Sequence, residues 1–249
     1  MAGTTISGRL TWKLADVVDI VIETPRVKTL VLDVPGWAGH LPGQHLDIRL
    51  TAEDGYQAQR SYSISSAPDG ERVEITVERL DDGEVSPYLV DVLQPGDKLE
   101  LRGPIGGYFT WDVADEGPLF LIGGGSGVAP LMAMVRHRAN MGSHVPTRLL
   151  VSSRSPVDII YRAELDRLAA ADASLDVIHT LTRIQPPGWE GYRRRIDPEM
   201  LAAVGFPPAT RPRCYVCGPT PLVEAVASAL VDLGHDPARI RTERYGPTG

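Results

Sequence analysis

Near residue 115 the chain changes its hydrophobic period, and few architectures accommodate such a change. Before that point apolar residues fall in short alternating or β-rich runs at 17–22, 27–34, 45–50, 61–65, 73–79 and 98–102. Turn signals lie between several of them: Pro35-Gly36, Pro42-Gly43, Gly55, Asp69-Gly70 and Pro95-Gly96. Many short strands so punctuated predict a closed antiparallel β-barrel over residues 1–114. One helix is expected within it, at 86–92, with Ser86 as N-cap and Pro87 in its first position.

Residues 115–249 alternate strand and helix instead. Strands are expected at 118–122, 148–152, 175–181 and 213–217. Helices are expected from the glycine loop to about Ala139, over 158–171, and over 220–233, capped by Thr220 and Pro221 and with Gly234 just past its end. That order predicts an α/β domain with a doubly wound parallel sheet. The chain thus divides into two domains, 1–114 and 115–249.

Charge divides with the pattern. Residues 1–114 carry 10 Lys and Arg against 18 Asp and Glu, whereas residues 115–249 carry 15 arginines and no lysine against 14 acids. A net charge of −7 argues against nucleic-acid binding, while Arg193-Arg194-Arg195 leaves room for an acidic ligand or partner, or for a solvated arginine face. Between Thr11 and Glu23, Lys13, Asp16 and Asp19 interrupt any export signal, and glycines with Pro130 break the uncharged run 119–135 as a membrane span. A cytoplasmic monomer without a membrane span is expected.

Cys214 and Cys217 are the two cysteines, spaced like a redox C-x-x-C. In a strand, however, residues three apart point to opposite faces about 10 Å apart, whereas a disulfide needs Cα atoms within about 7 Å. Two cysteines are also too few for a plant-type iron–sulfur cluster, and no metal site is expected.

Three motifs suit anions. Gly123-Gly124-Gly125-Ser126-Gly127 follows a buried strand and opens a helix, so free N–H groups and the positive helix end face a phosphate, unless the glycines only serve tight packing. Arg60-Ser61-Tyr62-Ser63 offers a guanidinium for phosphate and a ring for stacking, or is an ordinary half-exposed strand. Gly83-Glu84-Val85-Ser86 precedes the barrel's helix as a second helix-start anion site or a plain cap.

In this order, with Gly103-Pro104-x-Gly106 and Cys217-Gly218-Pro219 added, the motifs resemble those of the ferredoxin–NADP reductase family over about residues 14–249. The resemblance implies tightly bound FAD in the barrel. Arg60 and Ser61 would lie at its pyrophosphate, Tyr62 against the isoalloxazine, and Ser63 near flavin N5. Thr76, Val77 and Glu78 would run beside the ribityl chain, and Gly83, Val85 and Ser86 would add pyrophosphate donors. It further implies that Gly124, Gly125, Ser126, Gly127 and Pro130 take the dinucleotide pyrophosphate. Cys217, Gly218 and Pro219 would stand by the nicotinamide, and Thr182 with Arg183 would line the same cleft. Glu243 would handle a proton near the flavin and Tyr245 would cover its ring, although four residues follow Tyr245.

The resemblance implies electron transfer from NADPH or NADH through FAD to a separate one-electron carrier such as ferredoxin. Flavin or ferric-chelate reduction, or service as the electron-transfer subunit of a larger oxidoreductase, are the alternatives. NADPH is expected over NADH, because Ser153 and Arg154 end the second strand of the α/β half, Arg162 follows, and no acid occurs until Asp158.

Overall fold

The twelve residues of β1 (Lys13–Thr24) form the spine of the first half. In the computed structural model, which describes residues 10–245, β1 pairs antiparallel with β2 (Val27–Asp33) on one side and β6 (Lys98–Ile105) on the other. With β3 (His45–Thr51), β4 (Gln57–Ser63) and β5 (Arg72–Glu78), the sheet runs in the order β4-β3-β6-β1-β2-β5. An antiparallel bridge between Ile64 and Ile75 links the two ends and closes the barrel. Alternation sends Leu30 and Leu32, Leu46 and Ile48, and Val73, Ile75 and Val77 into one buried core.

The second half is a five-stranded parallel sheet: β7 (Leu119–Gly124), β8 (Thr147–Ser153), β9 (Leu175–Leu181), β10 (Arg213–Pro219) and β11 (Ile240–Tyr245), in the order β11-β10-β7-β8-β9. The crossover helices are α1 (Val128–Asn140), α2 (Arg162–Ala171), α3 (Pro198–Val204) and α4 (Thr220–Asp232). Strand order reverses between β7 and β10, and the carboxyl ends there open the crevice where such sheets take ligands. Two apolar clusters cover the sheet faces. Phe109 and Trp111, in the segment after β6, are buried in one of them.

Three local expectations are corrected. The barrel's helix is present over 86–92 and widens to a π-helix at Tyr88–Val92, closed by Leu93 N–H to Tyr88 O at 3.0 Å, but Ser86 does not cap it: its Oγ accepts the Leu80 N–H at 3.1 Å. Thr220 is the first residue of α4, not its cap, and Pro219 precedes the helix without a side-chain cap. The helix expected over 158–171 begins only at Arg162, because Ile159 and Ile160 are drawn into the core and Tyr161 turns through φ +59°. Two elements were not anticipated, α3, capped by Asp197 accepting the Met200 N–H, and β11.

Cys214 and Cys217 are free and buried, on opposite sheet faces with different apolar clusters. The alternation argument therefore holds. No helix among the described residues is long and apolar enough to cross a membrane.

Candidate active site

On β4, Arg60 and Tyr62 alternate onto the face from which Tyr62 packs against the barrel core. Burial pushes the Tyr62 phenol up to about 12, with Arg60 acting in the opposite direction. Arg60 Nη2 donates to Glu84 Oε2 at 2.6 Å, and Tyr56 Oη donates to Glu84 Oε1 at 2.6 Å. These two donors hold the Glu84 carboxyl below its usual range. Two motifs distant in sequence, Arg60 and the 83–86 turn, therefore meet.

The turn suits a phosphate. Among the described residues the N–H groups of Glu84, Val85 and Ser86 make no backbone hydrogen bond, and Gly83 is tightly placed, since a Cβ there would stand 2.9 Å from Ser86 Oγ. A guanidinium beside free N–H groups fits a diphosphate such as that of FAD.

The other barrel residues divide. Ser61 faces away from Arg60 and donates to the buried Asp47 at 2.6 Å. Ser63 ends β4, half-buried. Thr76 and Val77 have buried side chains, Thr76 bonding Thr29 at 2.8 Å and Val77 lying in the barrel core, so they offer a ligand only main chain. Glu78 points across the domain junction and accepts the Ser126 hydroxyl at 2.8 Å.

Ser126 belongs to the glycine turn between β7 and α1. Gly125 has φ +56°, a conformation few side chains adopt, and a Cβ there would lie 2.8 Å from Tyr245 Oη. Gly127 permits close packing on β10: a Cβ would collide with the Cys217 carbonyl and stand 2.7 Å from Gly218 N. Gly125 and Gly127 thus let this loop pack closely against its neighbours. Pro130 is buried in the first turn of α1, where its missing N–H costs no hydrogen bond.

Across the switch point, Cys217 and Gly218 are buried and Pro219 is exposed at the end of β10. Cys217 pairs in register with Glu243 on β11. Burial, then the neighbouring Glu243, raise the Cys217 thiol well above its ordinary value, so it is an uncharged wall rather than a nucleophile. Burial also lifts the Glu243 carboxyl to about 7, a value suited to holding or releasing a proton near neutrality. The Tyr245 hydroxyl reaches Gly124 O beside the glycine turn, and its ring packs against the apolar cluster that holds Cys217. Residues 246–249, whose presence raised the question of Tyr245, lie outside the described residues.

At the edge of the crevice the ends of β8 and β9 are laced together. Thr182 N–H donates to Ser153 O at 3.0 Å, and the N–H groups of Arg183 and Ile184 donate to Arg154 O at 2.9 and 3.0 Å. Arg154 and Arg183 are exposed, as is Arg162 at the start of α2. The nearest acid, Asp158, takes the Ser155 hydroxyl at 2.5 Å.

Sequence reading missed Glu84 as the partner of Arg60 and Glu78 as the partner of Ser126. No spacing rule links either pair, because each is made by folding.

Two family models match the chain. Residues 15–110 match the family model described as an oxidoreductase FAD-binding domain, and 121–228 match the oxidoreductase NAD-binding domain. A ferredoxin–NADP reductase of Sorangium cellulosum is 35% identical over 211 residues, covering 82% of this chain and 84% of that protein. The glycine betaine monooxygenase reductase subunit of Pseudomonas aeruginosa is 34% identical over 236 residues, or 93% of this chain. The chain spans 63% of that relative's length. Among solved structures, the FAD/NAD-binding domain of a nitric oxide dioxygenase from Vibrio cholerae superposes with a TM-score of 0.85 at 27% identity, covering 94% of this chain and 99% of that one.

Proposed function

The chain belongs to the ferredoxin–NADP reductase-like family of flavoprotein oxidoreductases, and from that premise we propose that it takes electrons from NADPH and passes them through FAD to a separate one-electron carrier such as ferredoxin. The observation that supports the reading is the presence of two turns suited to an anion, of different construction, one in each domain. Arg60 with the 83–86 turn lies in the barrel, and the glycine turn lies at the switch point, joined to the barrel through Ser126 and Glu78.

In this reading the domains divide at 114/115. Arg60, Gly83, Val85 and Ser86 hold the FAD pyrophosphate, with Tyr62 and Ser63 along the ring and the main chain of 76–78 beside the ribityl chain. FAD, when bound, accepts a hydride and returns electrons singly. Gly124 to Gly127 hold the dinucleotide pyrophosphate, and the Tyr245 hydroxyl yields its place there. Cys217, Gly218 and Pro219 form an uncharged wall against the nicotinamide, and Glu243 holds or releases a proton behind it. Arg154, with Ser153 and Arg162, takes the 2′-phosphate that distinguishes NADPH, and Thr182 with Arg183 lines the same cleft. The chain acts as a cytoplasmic monomer.

A match to an oxygenase reductase subunit supports a second reading, in which the acceptor is an oxygenase component. The test is rapid-mixing reduction of the purified protein by NADPH and by NADH, followed by a screen of ferredoxins and oxygenase components. Stoichiometric flavin bleached faster by NADPH, then reoxidised by a ferredoxin, is expected. A protein without flavin, or flavin that neither dinucleotide bleaches, overturns the reading.

A further inference from the structure

A buried polar cluster joins the two domains. Its centre is Tyr161, fully buried, at φ +59° immediately before α2. A bulky residue persists in that conformation only where its surroundings over-determine it. Here they do. The Tyr161 hydroxyl bonds that of Thr76 on β5, and the Tyr161 N–H donates to Glu23 Oε2 of β1 at 3.2 Å. Thr29 on β2 donates to the other Glu23 oxygen at 2.8 Å and bonds Thr76 at 2.8 Å.

α2 carries no side-chain cap of its own, so a barrel carboxylate serves the start of a helix in the other domain. Arg136 of α1 fastens the same junction. It donates to Glu74 at 2.6 Å and Ser65 O at 2.9 Å in the barrel, grips both oxygens of Glu164 on α2 at 2.9 and 2.7 Å, and lies 5.2 Å over the Tyr161 ring. Burial, opposed by the Thr29 hydrogen bond, raises the Glu23 carboxyl above its usual range. A merely adhesive interface needs none of this, since apolar contact would hold the domains with less desolvation.

The cluster's two ends adjoin the proposed ligand sites. Arg162 follows Tyr161, and Val77 with Glu78 follow Thr76. We propose that Glu23, Tyr161 and Thr76, fastened by Arg136, form a positioning clasp that sets the distance between the bound dinucleotide and the flavin. The inference rests on the proposed function. Hydride transfer demands reacting atoms about 3–3.5 Å apart, and a displacement of about 1 Å can cost roughly 100-fold, so a clasp that removes tenths of an ångström of play is worth its polar groups.

The test uses the holoenzyme and three variants. Tyr161→Phe removes only the hydroxyl link, Glu23→Ala removes the barrel's hold on α2, and Glu23→Gln keeps an acceptor. Tyr161→Phe and Glu23→Ala are expected to lower the limiting rate of flavin reduction by about 10-fold, with the 4-deuterium isotope effect retained or enlarged. Glu23→Gln recovers most of the loss. FAD content and ferricyanide reoxidation of photoreduced enzyme stay at parent levels, because neither depends on the second domain. Parent-like reduction rates in Tyr161→Phe and Glu23→Ala overturn the proposal, as does equal loss in both half-reactions, which a folding defect would produce. Hydrogen exchange on the cofactor-free chain gives an independent readout. The peptide carrying Tyr161 should exchange faster in Glu23→Ala than in the parent, and unchanged exchange overturns the clasp. A parent that binds no FAD would instead sink the proposed function.

Discussion

Arg60 and Gly127 show how differently the two halves build the turns proposed to hold phosphate. The barrel uses a side chain standing on a strand face, 53% exposed and paired with a Glu84 that is itself 47% exposed. Such a surface pair contributes little stability, so the guanidinium exchanges partners at small cost. The α/β half uses backbone brought so close to a neighbouring strand that a single methyl group does not fit. Barrel substitutions should therefore change affinity and leave the fold, whereas glycine-turn substitutions should change the fold itself.

The sharpest attempt to break that contrast is Gly127→Ala. The added Cβ meets backbone of Cys217 and Gly218, which cannot swing aside, so a loss of about 3 kcal/mol in unfolding free energy is expected. A urea midpoint equal to the parent's would show that the turn yields. Arg60→Ala comes next: losing one charge-assisted phosphate contact costs about 1.5–3 kcal/mol, or roughly 10- to 150-fold in FAD affinity, with the fold intact. Full flavin retained through dialysis at low micromolar protein counts against the assignment.

Arg154→Ala tests whether the α/β half also uses a replaceable side chain at its rim. Use of NADPH should weaken by about 10- to 100-fold while NADH turnover barely changes. A parent that prefers NADH, or a variant that loses both equally in kcat/KM, removes the 2′-phosphate role.

The smallest effect concerns pH. Burial raises the Glu243 carboxyl from 4.5 to about 7 in the folded chain. Its contribution to stability is therefore full below 4.5 and is lost as pH rises through about 7, since the unfolded chain releases that proton first. Glu243→Gln should flatten this part of the stability–pH curve. Parallel curves for parent and variant would mean that the carboxyl is solvated in both states.

Much of the fold was legible because periodicity survives in one dimension. β9 occupies Leu175–Leu181 as alternation marked it, and the other anticipated strands differ by a few residues at their ends. The misreadings are equally physical. The apolar spacing from Ile159 to Leu168 fits a helix, yet Ile159 and Ile160 find a better place in the core, and the chain turns at Tyr161 before the helix begins. Ser86 has the chemistry of an N-cap, but the Leu80 N–H takes its oxygen. At the candidate site, Arg60 of the first motif meets the 83–86 turn, and the glycine turn follows β7 at the switch point. Ser61, at the centre of the first motif, turns to Asp47 instead, because neighbours along a strand face opposite sides.

By itself the sequence determined the two architectures, their order, the family and the residue types able to meet phosphate. Each is encoded in local period and in motifs a few residues long. Only the tertiary structure decided which groups partner one another: Glu84 with Arg60, Glu78 with Ser126, Glu23 with Tyr161. Those contacts join residues 24 to 138 positions apart, and no local rule reaches across such a separation. They exist because barrel closure and parallel-sheet order bring these residues together, at the surface for Arg60 and Glu84 and in the partly buried junction for Glu23 and Tyr161, where leaving polar groups unpaired is costly.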